Sequence, residues 1–238
     1  MKKPSTAVVP LSEVVAARSR LNGAIHYTQC PASAALSELT GAKIFCKQEF
    51  LQRTGSFKER GARNALSQIS PDQARRGVIA ASAGNHALGL AWHGRSLGIA
   101  VTVVMPRFAP LVKVARCRQF GATVVLHGDT FDEARAEAIR LATEQQLTPV
   151  HPFDDPDVIA GQGTLAFEIL EQVPDAEAVL VPVGGGGLLA GVATVFHALK
   201  PDLRIIGVEP ASAACFAAGL AAEGPVRVAT RFTLADGL

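Results

Sequence analysis

Short aliphatic and β-branched runs recur along this chain, and most are followed by a longer stretch of helical character. The runs at 43–49, 78–81, 101–105, 123–126, 179–183 and 205–208 predict strands. Several are almost continuously apolar, which suits strands buried on both faces. The stretches at 61–68, 86–96, 111–120, 131–145, 158–172, 188–199 and 212–222 predict helices. Such alternation implies parallel strands joined by right-handed crossovers. The expected fold class is therefore α/β, with open, mostly parallel sheets flanked by helices.

Composition agrees and narrows the function. Of 238 residues, 48% are apolar and 18% charged, which fits a well-buried sheet and argues against disorder. The net charge is +2 with no basic block, so no nucleic-acid partner is expected. Cys30, Cys46, Cys117 and Cys215 are scattered, with neither metal-site nor disulfide-framework spacing. Free thiols in a reducing cytoplasm are expected. Met1-Lys2-Lys3 resembles the basic start of a signal peptide, but Pro4, Pro10 and Glu13 interrupt the apolar run behind it, so none is expected there. The uncharged stretch 178–199 is long enough to span a bilayer, yet it holds Pro182 and four glycines in mid-run. Lipid would leave that backbone unsatisfied, so a strand, a turn and a buried helix are expected, and no membrane.

Three segments carry chemistry-bearing residues. The first, Thr54-Gly55-Ser56-Phe57-Lys58-Glu59-Arg60-Gly61, holds a lysine between glycines. Taken alone, Lys58 reads as a surface lysine in a polar stretch. A lysine amine condenses with an aldehyde only as the free base, so a reactive lysine needs burial or nearby positive charge. The second segment, Ala81-Ser82-Ala83-Gly84-Asn85-His86, is a turn between a strand and a helix beginning near His86. Its side-chain oxygens and free N–H groups suit either a carboxylate site or an ordinary helix cap. The third is Pro182-Val183-Gly184-Gly185-Gly186-Gly187-Leu188. Consecutive glycines let backbone N–H groups converge on an anion beside a helix N-terminus. Gly184, Gly185, Gly186, Gly187 and the N–H of Leu188 are thus the expected phosphate site. A nucleotide P-loop is excluded because Leu188-Leu189 stand where lysine and Ser/Thr are needed. Gly161-Gln162-Gly163-Thr164-Leu165-Ala166 matches a dinucleotide string but follows no clear strand, and is read as a decoy.

Together with Val158-Ile159-Ala160-Gly161-Gln162-Gly163-Thr164 and Leu234-Ala235-Asp236-Gly237, these motifs resemble the fold type II, tryptophan-synthase-like group of pyridoxal-phosphate enzymes. The closest likeness is to the threonine/serine dehydratases. It runs from about Leu11 to Leu238, with five motifs in order.

The resemblance implies a pyridoxal 5'-phosphate cofactor on Lys58, whose amine also shuttles the Cα proton. It implies that Phe57 packs on the cofactor ring, that Asn85 hydrogen-bonds the ring hydroxyl, and that Gly237 lies near the cofactor. Ser82, Ala83, Gly84, Asn85 and His86 would form the substrate-carboxylate loop. It implies a small domain, 77–152, inserted in a large one made of 1–76 and 153–238, with the site between them. The family continues beyond the Ala-Asp-Gly motif, so the C-terminal part of the large domain is expected to lie past Leu238. The implied reaction is β-elimination from L-threonine to 2-oxobutanoate and ammonia, with L-serine second. Alternatives are a catalytically silent remnant of the fold, or another elimination or β-replacement on a hydroxy amino acid. Relatives are dimers or tetramers, which implies a homo-oligomer.

Three departures bear on the reaction and on metal binding. Related serine racemases carry a serine where Ala83 stands, and alanine exchanges no proton, so elimination is favoured over two-base racemisation. Glu59 follows the lysine where many relatives have an aliphatic residue. Val208-Glu209-Pro210 resembles the start of a cation site, but Cys215 stands where a second acid is needed, so no metal is expected.

Overall fold

A computed structural model describes residues 9–229 and Ala235. Helices α1 (Leu11–Leu21) and α2 (Ala34–Thr40) lead to α3 (Lys58–Gln68) and α4 (Pro71–Arg76). Next come β1 (Val78–Ala81), α5 (Asn85–Leu97), β2 (Val101–Met105), α6 (Leu111–Gln119), β3 (Thr123–Leu126), α7 (Phe131–Glu144) and β4 (Thr148–Pro149). The chain continues through α8 (Pro156–Gln172), β5 (Ala178–Pro182), α9 (Gly187–Leu199), β6 (Arg204–Val208) and α10 (Cys215–Ala221).

The architecture is α/β with parallel sheets. One sheet has the order β3-β2-β1-β4, and a separate one pairs β5 with β6. Strand periodicity explains the first sheet's layers. Val78, Ala80, Val101, Val103 and Met105 pack with Ala87, Leu90 and Ala91 of α5 and with Val114 of α6. The intervening Ile79 and Val104 meet Ala134, Ala138 and Leu141 of α7. Both faces are covered, as a parallel sheet requires. A second core joins Val14 and Ala17 of α1, Leu165 and Phe167 of α8, Val181 of β5 and Val192, Val195 and Phe196 of α9. On the other side of the β5–β6 pair, Leu180, Ile206 and Val208 are exposed.

Helix starts follow local chemistry. Capping boxes begin α4 (Ser70 with Gln73) and α7 (Thr130 with Glu133), and Asp155 accepts from the N–H groups of Asp157 and Val158 to begin α8.

Two expected elements differ. Segment 43–49 forms a single antiparallel bridge, Ala32 with Phe45, instead of a strand, and ends in a 3₁₀ turn at Glu49–Leu51. Its partner segment contains Pro31, whose carbonyl accepts from Cys46 N but which has no N–H to return, so the ladder cannot extend. The stretch 212–222 splits into a 3₁₀ turn, Ala211–Ala213, and α10. The Glu209 carboxylate accepts from Phe216 N and Ala217 N, both at 2.8 Å, and so fixes where α10 begins.

Glycines set how closely α3, α8 and α9 approach. A Cβ on Gly161 would lie 2.5 Å from the Arg60 carbonyl, and one on Gly191 would lie 2.4 Å from the Ile159 carbonyl. The G-x-G string of α8 is thus a packing device buried inside a helix. We expect Gly161→Ala to cost about 1–3 kcal/mol, since backbone must move to admit the methyl group. Gly224→Ala, which meets open space, serves as the control. Chemical denaturation checks both; equal stabilities would contradict this account of the interface.

Candidate active site

Lys58 is the first residue of α3. The chain reaches it through a turn in which Gly55 has φ +86°, a conformation that favours glycine. The side chain is half-buried, and its Nζ donates to the carbonyl of Pro152 at 2.8 Å. Burial pulls the amine's pKa down from 10.5 to about 8. A far larger share of Lys58 is therefore free base near neutral pH than for an ordinary lysine. The Phe57 ring centroid lies 5.4 Å from Nζ.

The asparagine turn leads into α5, which packs against α3 at Gly89. Asn85 is the first residue of α5, one residue earlier than expected, and Gly84 occupies the cap position without any side-chain capping bond. Ser82 Oγ accepts from Gly84 N at 3.2 Å, while Ser82 N donates to Val104 O and ties the turn to β2. A Cβ on Gly84 would have Lys113 Nζ of α6 as its nearest neighbour, at 4.0 Å. His86 is fully buried, and its Nε2 lies 3.2 Å from the Val150 carbonyl. A carbonyl only accepts, so Nε2 carries the proton. Burial, with the nearby Lys58 amine adding to it, lowers the pKa of His86 to about 3. The ring is neutral and packed, which leaves the backbone N–H as the group His86 can offer a ligand.

The glycine loop joins β5 to α9. Gly186 has φ +82° and no side chain caps the helix, so its first-turn N–H groups meet no capping oxygen. A Cβ on Gly185 would strike the Phe153 ring at 2.2 Å, and one on Gly187 would reach the Phe153 carbonyl at 2.6 Å. Leu188 and Phe57 pack against the same core.

The three segments thus meet around residues 150–153. Val150 takes His86, the Pro152 carbonyl takes Lys58, and Phe153 lies on the glycine loop. The His151 ring stands edge-on to Phe153 at 4.6 Å and accepts from Asp154 N, shaping this connector. Sequence reading missed these residues. The only local signal is a two-residue strand, β4, too short to read. Gly237 lies outside the described residues. Among the described residues, no cluster of three or more His, Cys, Asp or Glu is arranged to hold a metal. The Glu209 carboxylate, at the start of the segment that resembles a cation site, caps α10. A cavity of about 580 Å³ lies elsewhere, lined by Val15, Arg18, Tyr27, Arg60 and Glu168, away from the convergence point.

Comparison with known proteins places the chain in a family. Residues 21–238 match the profile of the family described as "Pyridoxal-phosphate dependent enzyme". The chain is 46% identical to the L-threonine ammonia-lyase of Thermotoga maritima over 231 residues, covering 97% of this chain and 58% of that protein. The processed form of threonine deaminase isoform 2 from Solanum lycopersicum superposes with a TM-score of 0.91 at 42% identity, covering 95% of this chain and 63% of that one. Maize serine racemase superposes with a TM-score of 0.94 at 33% identity, covering 98% of this chain and 70% of that one. The chain therefore spans less than two thirds of the length of the first two. With a profile match over nearly its whole length, the chain belongs to the pyridoxal-phosphate dependent enzyme family.

Proposed function

We propose that this chain carries the cofactor and the catalytic lysine of a threonine ammonia-lyase, which converts L-threonine to 2-oxobutanoate and ammonia, with L-serine as a second substrate. The observation that carries this reading is the half-buried Lys58 amine, with a pKa of about 8, at the junction of the asparagine turn and the glycine loop. The name of the Thermotoga maritima relative supports the choice of substrate.

The residues fit pyridoxal phosphate. A loop whose Gly185 and Gly187 have no room for a Cβ, followed by uncapped helix N–H groups, suits a phosphate. We assign the phosphate to Gly184, Gly185, Gly186, Gly187 and the N–H of Leu188, the ring face to Phe57, and the ring hydroxyl to Asn85. When bound, the cofactor supplies an aldehyde for amines and a conjugated ring that stores the electrons released at Cα. Lys58 Nζ takes the Cα proton. Ser82 Oγ and the N–H groups of Ala83, Gly84, Asn85 and His86 hold the substrate carboxylate. Ala83, which has no exchangeable proton, leaves the opposite face of Cα without an acid.

We assign 77–152 to a small domain and 1–76 with 153–238 to a large one; two separate sheets support the division, with Ala62, Ala65 and Leu66 of α3 and Val158 of α8 packing into the core of the first sheet. Exposed Leu39, Phe50 and Leu51 support a homo-oligomer. Four free cysteines support a cytoplasmic location, and among the described residues no helix is long and apolar enough to cross a membrane. A second reading, cofactor binding without turnover, is favoured by the exposed apolar face of the β5–β6 sheet.

Keto-acid release from L-threonine, measured with added pyridoxal phosphate, separates the two readings. We expect release that falls by at least about 10²–10⁴-fold in Lys58→Ala, the range for a lost general base. Release that persists in Lys58→Ala would overturn the assignment, and cofactor binding without release would favour the second reading. The rate of cofactor uptake should rise with pH through a midpoint near 8, since only the free amine reacts. Serine racemisation should be absent in the unaltered protein and require Ala83→Ser; substantial racemisation without that change would contradict the role given to Ala83.

A further inference from the structure

Glu59, the residue beside Lys58, is fully buried, and so is its neighbour across the helix interface, His93 of α5. Glu59 Oε2 lies 3.4 Å from His93 Nε2, within ion-pair distance, and neither atom has a hydrogen-bond partner. The second carboxylate oxygen, Oε1, accepts from the backbone N–H of Thr54, at the start of the turn that leads to Lys58. One carboxylate therefore closes the turn before the lysine and ties the start of α3 to α5.

The tie lies next to a backbone contact. Gly89, one turn before His93 on α5, approaches Lys58 so closely that a Cβ there would be 3.2 Å from the Lys58 carbonyl. Helix α5 thus grips α3 at Lys58 through Gly89 and at Glu59 through His93. The same α5 begins with Asn85, eight residues before His93, about 12 Å along the axis at 1.5 Å per residue. An ionisable pair in a core that apolar side chains could fill is costly unless its geometry is used.

We propose that Glu59 and His93 act as one positioning unit, which holds the Lys58 amine in its buried place against the Pro152 carbonyl and in register with Asn85. This rests on the reading of Lys58 as the reactive amine.

Burial works to raise the Glu59 pKa, but His93 and the Thr54 amide outweigh it and hold the carboxyl below its ordinary 4.5. Burial lowers His93 below 6.5; Glu59 opposes that, while Arg63 and Arg53 add to it. Both groups have depressed native pKa values. Their contribution to stability is full above their unfolded values and is lost as pH falls, first below 6.5 for His93 and then below 4.5 for Glu59.

The test is the chemical reactivity of Lys58. Trace acetylation across a pH series, read peptide by peptide by mass spectrometry, gives the amine's midpoint without involving the cofactor, so it stands whether or not Lys58 takes up pyridoxal phosphate. In the unaltered protein we expect a midpoint near 8. In Glu59→Gln and in His93→Gln it should move up toward 10.5, lowering reactivity near neutral pH by about tenfold or more. The double variant should be no worse than either single, as for two residues that act together. Glu59→Gln keeps the side-chain volume and an acceptor for Thr54, so it provides a folded variant. An unmoved midpoint in both singles, even with lowered melting temperatures, would reduce the pair to a structural contact and overturn the proposal. Additive effects would overturn it as well.

Discussion

The arrangement of α3 depends on one buried guanidinium. Arg60 has no exposed surface, and its nitrogens donate to Glu49 at 2.7 and 2.8 Å, to Glu168 at 2.6 and 2.9 Å, and to Thr164 at 3.2 Å. Lys47 adds a second cation, 2.5 Å from Glu168. Two cations thus face two carboxylates, and Arg60 forms forked pairs with both acids, the geometry in which a buried ion pair can offset its desolvation. Burial works against ionised Glu49, but Arg60 outweighs it and holds the carboxyl below its ordinary range. Removing one partner of such a group typically costs about 3–5 kcal/mol, because a charge is left alone in the core. The network binds α3 to α8 and to the 3₁₀ turn at Glu49–Leu51, and Arg60 stands two residues after Lys58.

Given that anchor, the chemistry of Lys58 comes from position. The amine is drawn out of water while its hydrogen-bond partner is the neutral carbonyl of Pro152, so burial lowers its pKa with no acid paired to restore it. Glu59, next in sequence, would be such an acid, but its two oxygens are turned toward Thr54 and His93. His86, held neutral by burial, adds no competing charge. The lowered pKa of the Lys58 amine is thus a consequence of how α3, α5 and the connector at 150–153 pack.

Much of this was legible from the residues alone. Strands at 78–81, 101–105 and 123–126 match β1, β2 and β3; the buried β1 and β2 leave nearly continuous aliphatic runs because both their faces are covered, while β3 is a β-branched edge strand. The glycine loop was legible because four glycines between a strand and a helix have few other uses. Helices α1, α2 and α4 went unread, and Pro31 broke the strand expected at 43–49 for a reason that lies in its partner segment. The connector at 150–153 acts largely through main-chain carbonyls, which no side-chain pattern records. Glu59 stood out as a departure, but its meaning required His93, 34 residues away and brought beside it only by the fold.

The central claim is that the motif segments converge on one reactive amine, Lys58. The most direct test is to incubate the protein with pyridoxal phosphate, reduce it with borohydride, and map the modified lysine by mass spectrometry. This account predicts a single dominant modified peptide containing Lys58. Modification spread over other lysines such as Lys47 or Lys113, or none at Lys58, would contradict it.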